Sequence, residues 1–180
     1  AGEVHALMGA NGAGKSTLMK VLAGVYMPDS GKITHHGRVV HIKACVADAQ
    51  KDGVAMVFQE LNILPHLSVL ENIFIANEIT KNGIYDWKAM RKRAKEVMGE
   101  VGIDLNLETR AGNLPVATQQ MIEITRALNL NSDIIIFDEP TSSLTVQEVD
   151  KLFSKFSNAR SMFAPATKKY WKALFSLPVS

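Results

Sequence analysis

The amino-acid sequence predicts an α/β fold with a parallel core sheet. Three observations predict it. A short apolar stretch, Val4–Met8, runs into a glycine-rich loop and then into helix-like residues from Ser16 to Ala23. A second apolar run, Ile134–Phe137, ends abruptly in two carboxylates, Asp138 and Glu139. Between these two strand–loop units the pattern turns mostly helical, from about Ser68 to Arg126.

Each element has a local reason. Residues 16–23 place Leu18, Met19, Val21 and Leu22 near helical spacing, and Gly24 is a stop signal. Residues 32–42 read as one or two antiparallel strands about His36-Gly37. Residues 47–52 suit a short helix, and the β-branched, apolar run Val54–Phe58 suits a buried strand. Residues 69–76 form the next helix. Residues 86–101 follow, with Asp86 as N-cap and apolar Trp87, Met90, Ala94, Val97, Met98 and Val101 near helical spacing. A third helix is expected over 118–130, with Met121, Ile122, Ile124, Ala127 and Leu128 inward, and a last one over 146–156.

A chain of 180 residues, 47% hydrophobic and 21% charged, is long enough to bury a real core, which argues against intrinsic disorder. Its single cysteine, Cys45, excludes a fold stapled by internal disulfides and reads as a small core or surface residue rather than a reactive thiol. No apolar run approaches the ~20 residues of a membrane span. The net charge of +2 conceals an asymmetry. Residues 1–150 hold 14 basic and all 18 acidic residues, whereas residues 151–180 hold 6 basic and no acidic ones. That last segment also carries six of the twelve aromatics: Phe153, Phe156, Phe163, Tyr170, Trp171 and Phe175.

The glycine-rich loop carries the first chemistry. Gly9-Ala10-Asn11-Gly12-Ala13-Gly14-Lys15-Ser16 fits the pattern G-x-x-x-x-G-K-[ST] between a strand and a helix. Glycines let backbone N–H groups curl around phosphate oxygens, and the following helix presents its partly positive N-terminus to the same anion. Lys15 reaches the β- and γ-phosphates, and the Ser16 hydroxyl ligates Mg²⁺. Candidate nucleotide contacts are therefore Gly9, Asn11, Gly12, Ala13, Gly14, Lys15, Ser16 and Thr17. The acidic strand end carries the second. In a fold of this kind that strand neighbours the loop-bearing strand, so Asp138 is a metal-holding candidate and Glu139 a general base for an attacking water.

Further motifs make a family recognisable. Asp138-Glu139-Pro140-Thr141-Ser142-Ser143-Leu144-Thr145 resembles the Walker B and D-loop of ATP-binding cassette (ABC) ATPases. Leu114-Pro115-Val116-Ala117-Thr118-Gln119-Gln120 resembles their signature motif, and Phe58-Gln59-Glu60-Leu61 their Q-loop. Gln59-Glu60-Leu61-Asn62, Gln119-Gln120-Met121-Ile122-Glu123-Ile124 and the loop through Lys20 are similar to the first ATPase half of sugar-importing subunits of the ribose and galactose type. The match runs from about Gly2 to Phe156. It implies a P-loop ABC ATPase core with a small antiparallel β part and a helical subdomain over about 62–130.

The resemblance also implies roles. ATP and Mg²⁺ are the expected ligands, with Glu139, Lys15 and Gln59 catalytic and Ser16, Gln59 and Asp138 around the metal. Leu114, Pro115, Val116, Ala117 and Gln119 face the ATP of a second ATPase domain in a head-to-tail pair. The helical insert faces transmembrane permease subunits on the cytoplasmic side of the membrane, fed indirectly by a periplasmic sugar-binding protein. No nucleic-acid partner is expected: Lys88, Arg91, Lys92, Arg93 and Lys95 share their helix with Glu96 and Glu100 and read as a solvated face. His35-His36 reads as a turn rather than a metal site.

Two departures stand out. Pro115 occupies the place of the family's signature serine and offers no hydroxyl, which predicts weakened closure across the pair. The family also places a switch histidine after the core strand that follows the acidic one, and no histidine follows Asp138 here. Past Phe156 the resemblance stops. Residues 157–180 read as a divergent basic tail, a frameshifted, misread or fused end, with a basic amphipathic surface helix over 168–175 as the other reading. The chain is thus expected to be part of a longer transport ATPase, incomplete at both ends, that binds nucleotide but hydrolyses it poorly. The competing expectations are a soluble, non-transport ABC ATPase and a catalytically incompetent nucleotide-binding remnant.

Overall fold

The computed structural model describes residues 3–10, 12–35, 37–40, 45–138 and 172–178. They fall into two compact units, one holding the described residues up to Gln59 with 131–138 and 172–178, the other holding 60–130.

The first unit is built on a parallel sheet. Its strands are β1 (Glu3–Gly9), β4 (Val54–Val57), β7 (Ile134–Asp138) and β8 (Lys172–Pro178), in the order β1-β8-β7-β4. All three pairings are parallel. Helix α1 (Lys15–Leu22) follows β1, and its Met19 packs with Ala23 and Ile136 in a core joined by Leu7, Leu22, Val25, Val54 and Met56. Leu18, expected among the apolar residues of that helix, is exposed. The antiparallel pair β2 (Ile33–His35) and β3 (Arg38–Val40) and the short helix α2 (Val46–Lys51) lie where the sequence placed them. Gly53, at φ +83°, lets the chain enter β4 tightly against β7. Its carbonyl accepts from the N–H of Asp133 (2.7 Å) and of Ile134 (2.9 Å), and a Cβ there would meet an Asp133 carboxylate oxygen at 2.8 Å.

β8 departs from expectation. Residues 172–178 form a strand whose backbone pairs with β1 from Glu3↔Lys172 to Gly9↔Pro178 and with β7 from Ile134↔Lys172 to Asp138↔Ser176. The helical alternative for 168–175 therefore fails over 172–175. Ala173-Leu174-Phe175 is a short apolar run, which periodicity alone cannot assign to helix or strand. The helix expected over 146–156 lies outside the described residues.

The second unit is helical. It contains α3 (Val69–Phe74), α4 (Trp87–Val101) and α5 (Val116–Asn129), with a single 3₁₀ turn at Ala111–Asn113. Its core gathers Val69, Leu70, Ile73, Phe74, Met90, Ala94, Met98, Leu107 and Ile122. Asp86 caps α4 by accepting from the N–H of Ala89 (2.9 Å). Trp87, the first helical residue, is 42% exposed and meets Tyr85 in an edge-on ring contact. The intervening hairpin, β5 (Thr80–Lys81) and β6 (Ile84–Tyr85), was not anticipated, although Asn82-Gly83 with both φ positive is its turn signal.

Helix α3 opens with a capping box. The Glu71 N–H donates to Ser68 Oγ (3.2 Å), while the Ser68 N–H (2.8 Å) and hydroxyl (2.6 Å) donate to Glu71 Oε2. These bonds to the charged form lower the Glu71 pKa below its ordinary 4.5, led by the Ser68 hydroxyl. The stabilisation from this lowered value is complete above 4.5 and is lost as pH falls through the lowered value. Glu71→Gln is thus expected to destabilise the chain at neutral pH and to converge with the unmodified chain in acid, as read by denaturant unfolding between about pH 6 and about pH 3.

Candidate nucleotide site

The loop between β1 and α1 folds on its own backbone. The Ala13 N–H donates to the Ala10 carbonyl (3.1 Å), and Gly12 and Gly14 take φ of +82° and +85°. A Cβ on either glycine would meet nothing within 4 Å, so the demand at these positions is for the left-handed backbone, not for space. Gly14 is the N-cap of α1 and supplies no side-chain bond, which leaves the first amides of the helix without a side-chain cap. Lys15 turns its ammonium back over the loop, donating to the carbonyls of Gly9 (2.7 Å) and Ala10 (3.1 Å).

The next residue joins two distant parts of the sequence. Ser16 Oγ donates to Asp138 Oδ1 at 2.9 Å, across 122 positions. Asp138 ends β7 and is 2% exposed. The buried Asp138 carboxylate thus meets the Ser16 hydroxyl, which follows Lys15 at the start of a helix whose first amides have no side-chain cap. This donor set fits a phosphate chain with a hard divalent cation: Lys15 and the amides suit the anion, and Ser16 and Asp138 offer the oxygens such a cation takes. Among the described residues no group of three or more His, Cys, Asp or Glu is gathered to hold a metal by itself, so oxygens from a ligand or from water complete any such shell.

In the helical unit, α5 begins at Val116 with Pro115 as N-cap, two residues earlier than expected. Proline sets φ at −56° there, and it lacks only an N–H that an N-cap does not need for the helix. No side chain caps this end either. Pro115 and Val116 are exposed, while Leu114, Ala117 and Gln119 are half-buried. Gln119 is turned inward along its own helix start, with its Nε2 donating to the Leu114 carbonyl (2.7 Å).

Comparison with known proteins decides the family. The family model described as "ABC transporter" matches residues 1–142. The chain belongs to the ABC transporter family. It is 53% identical over 155 residues to "Ribose import ATP-binding protein RbsA" of Halalkalibacterium halodurans, covering 85% of this chain and 31% of that protein. It is 51% identical over 154 residues to "Putative ribose/galactose/methyl galactoside import ATP-binding protein 2" of Agrobacterium fabrum, covering 84% and 30%. The chain therefore spans about a third of the length of the curated relatives it matches. A nucleotide-free ATP-binding cassette from an ABC transporter superposes with a TM-score of 0.78 at 24% identity, over 98% of this chain and 71% of that one. A dimeric cassette in a post-hydrolysis state with ADP and Pi gives a TM-score of 0.78 at 24% identity, over 97% and 75%. These likenesses show the fold, a P-loop ABC ATPase core.

Within that ABC fold, the structure brings together Gly9, Gly12, Ala13, Gly14, Lys15, Ser16 and Thr17 on one loop and helix start, and Asp138 beside Ser16. Gln59 is exposed after β4. Asn11 and Glu139 lie outside the described residues. Two residues escaped the sequence reading. Asn72, fully buried on α3, accepts from the Leu64 N–H (2.9 Å) and donates to the carbonyls of Leu64 (3.0 Å), Ser68 (3.0 Å) and Leu67 (3.3 Å). Arg126 on α5 donates to the Asn62 carbonyl at 2.9 Å and pairs with Glu123 at 3.3 Å. Burial lowers the Arg126 pKa, and the Glu123 charge opposes that shift. The signal for both was a polar side chain inside an otherwise apolar helical stretch.

Removing the hydroxyl of Ser16 leaves a buried carboxylate oxygen without this donor. Ser16→Ala is expected to lower unfolding stability by about 1–3 kcal/mol, the cost of an unmade hydrogen bond at a buried acceptor. Ser16→Thr, which keeps the hydroxyl, is expected to stay much closer to the original in the same urea titration.

Proposed function

We propose that the chain is the nucleotide-binding part of an ATPase that energises sugar import through an ABC transporter. One observation carries the reading: the Ser16 hydroxyl on the buried Asp138 carboxylate, next to the Lys15 loop. The printed names of the relatives, ribose and galactose import ATP-binding proteins, supply the substrate class. The loop amides and Lys15 hold the β- and γ-phosphates, and Ser16, Asp138 and Gln59 stand around Mg²⁺. A Mg²⁺ held there would supply positive charge against the negative charge of the phosphates. Glu139 accepts the proton of the attacking water, and Gln59 reads the γ-phosphate.

The proposed working unit is a head-to-tail pair on the cytoplasmic face of the membrane. Each ATP is held between one loop and the partner's Leu114–Gln119 segment. Permease subunits dock on the helical part, and a periplasmic binding protein delivers the sugar. The homologous body ends near Phe156. Residues 157–180 form a divergent basic tail, within which β8 completes the sheet.

Hydrolysis is impaired in this reading. Pro115 brings no hydroxyl to the partner's γ-phosphate. Calorimetry is expected to show MgATP binding that Lys15→Met weakens about 10- to 100-fold, the scale of a charge-assisted bond to an anion. Steady turnover is expected to stay at background; robust Mg-dependent hydrolysis abolished by Glu139→Gln would overturn the impairment.

Pro115→Ser restores the missing donor at the start of α5. In a Glu139→Gln background it is expected to raise ATP-dependent self-association about tenfold by sedimentation, the worth of one hydrogen bond to a charged group. Unchanged association would remove Pro115 as the weak point.

A further inference from the structure

We propose that Arg126 is a positioning residue. Backed by Glu123, it clamps the main chain just beyond Gln59 onto α5, the helix that opens with the signature residues. The inference rests on the proposed function for the role of Gln59, and on the helical unit alone for the clamp.

Arg126 uses both arms of its fork. One terminal nitrogen donates to the Asn62 carbonyl at 2.9 Å, and the other pairs with Glu123 Oε1 at 3.3 Å. The Glu123 side chain is 2% exposed and that of Arg126 is 19% exposed, so the pair is set into the unit rather than laid on its surface. Its neighbours on α5, Ile122, Ile124, Ala127 and Leu128, are buried and apolar. Such a pair adds little stability over apolar side chains of the same volume, because both charges lose water. What it supplies is a fixed direction: a rigid, planar donor aimed at one carbonyl.

That carbonyl is well chosen. Asn62 lies three residues after Gln59, and its own Nδ2 donates back to the Glu60 carbonyl at 3.2 Å. Three residues span at most about 10 Å when extended, and this fold-back shortens the tether. From Leu64 to Ser68 the strand of chain is held by Asn72. The segment leaving Gln59 is therefore pinned at Asn62 to α5 and from Leu64 onward to α3. A displacement of α5 is passed to Asn62, and the short tether passes it on to Gln59.

Lysine keeps the charge opposite Glu123 but has no fork to hold the carboxylate and the carbonyl in the same two directions. The test uses the 180-residue chain and Arg126→Lys, with two readouts. Amide hydrogen exchange, without nucleotide, is expected to quicken severalfold over residues 60–64 while α4 stays as protected as before. MgATP affinity is expected to fall about fivefold, the worth of one hydrogen bond, while MgADP affinity stays within about twofold. Glu123→Gln, which keeps the side-chain shape, is expected to move both readouts the same way by less. Unchanged exchange over 60–64, or equal losses for the two nucleotides, overturns the clamp. An unmodified chain that binds neither nucleotide overturns the proposed function instead, and the exchange measurement then decides the clamp by itself.

Discussion

A hydrogen bond of 2.9 Å between Ser16 and Asp138 is the constraint on which the nucleotide site depends. It joins the first turn of α1 to the end of β7, and nothing in the local sequence of either brings them together. The parallel sheet does. Parallel strands present their C-terminal ends at one edge, so the loop that leaves β1 and the carboxylate that ends β7 emerge side by side. Asp138 is nearly fully buried there, and a buried carboxylate needs a donor. The Ser16 hydroxyl supplies it and sets the start of α1 against the sheet. The dipole of α1, the uncapped amides and Lys15 are thereby aimed from a fixed base.

β1 and β7 are not neighbours, however. β8 lies between them and pairs with both. Backbone hydrogen bonding sets the requirement for that slot, and a short strand in parallel register meets it. This explains how residues 172–178, with the short apolar run Ala173-Leu174-Phe175, complete the sheet. That slot is set by backbone register, whereas the phosphate loop and Asp138 are set by side-chain chemistry.

The same distinction governs what was legible in the sequence. The glycine loop and Asp138 were readable because their chemistry requires particular residues at particular spacings. Ile122 is readable as core from helical periodicity and Ile136 from an unbroken apolar run. The start of α5 was misplaced by two residues because the apolar periodicity begins only at Met121, whereas the N-cap is set by Pro115. The hairpin over 80–85 was passed over because its strands have two residues each, too few for alternation to show, although Asn82-Gly83 marked the turn. β8 was hidden by length, since a short apolar run reads equally as helix.

Polar residues inside the helical unit were the least legible, and their arrangement bears most directly on how the two ends of the family's chemistry are linked. A loop entering a helical bundle carries backbone groups that the bundle cannot satisfy with its own ladders. Asn72 meets four such groups with one amide, and Arg126 meets a fifth while Glu123 balances its charge. An apolar residue at 72 would leave the Leu64 N–H without this acceptor, and one at 126 would leave the Asn62 carbonyl without this donor, so the loop would be held to one path less firmly. Burying an amide and an ion pair therefore selects one path for the chain beyond Gln59. Because that path is fastened to α5, a load applied at Val116 on the first turn of the helix reaches Asn62 through a single rigid element and one hydrogen bond. In this fold the selection of a loop path and the transmission of a displacement rest on the same few polar atoms.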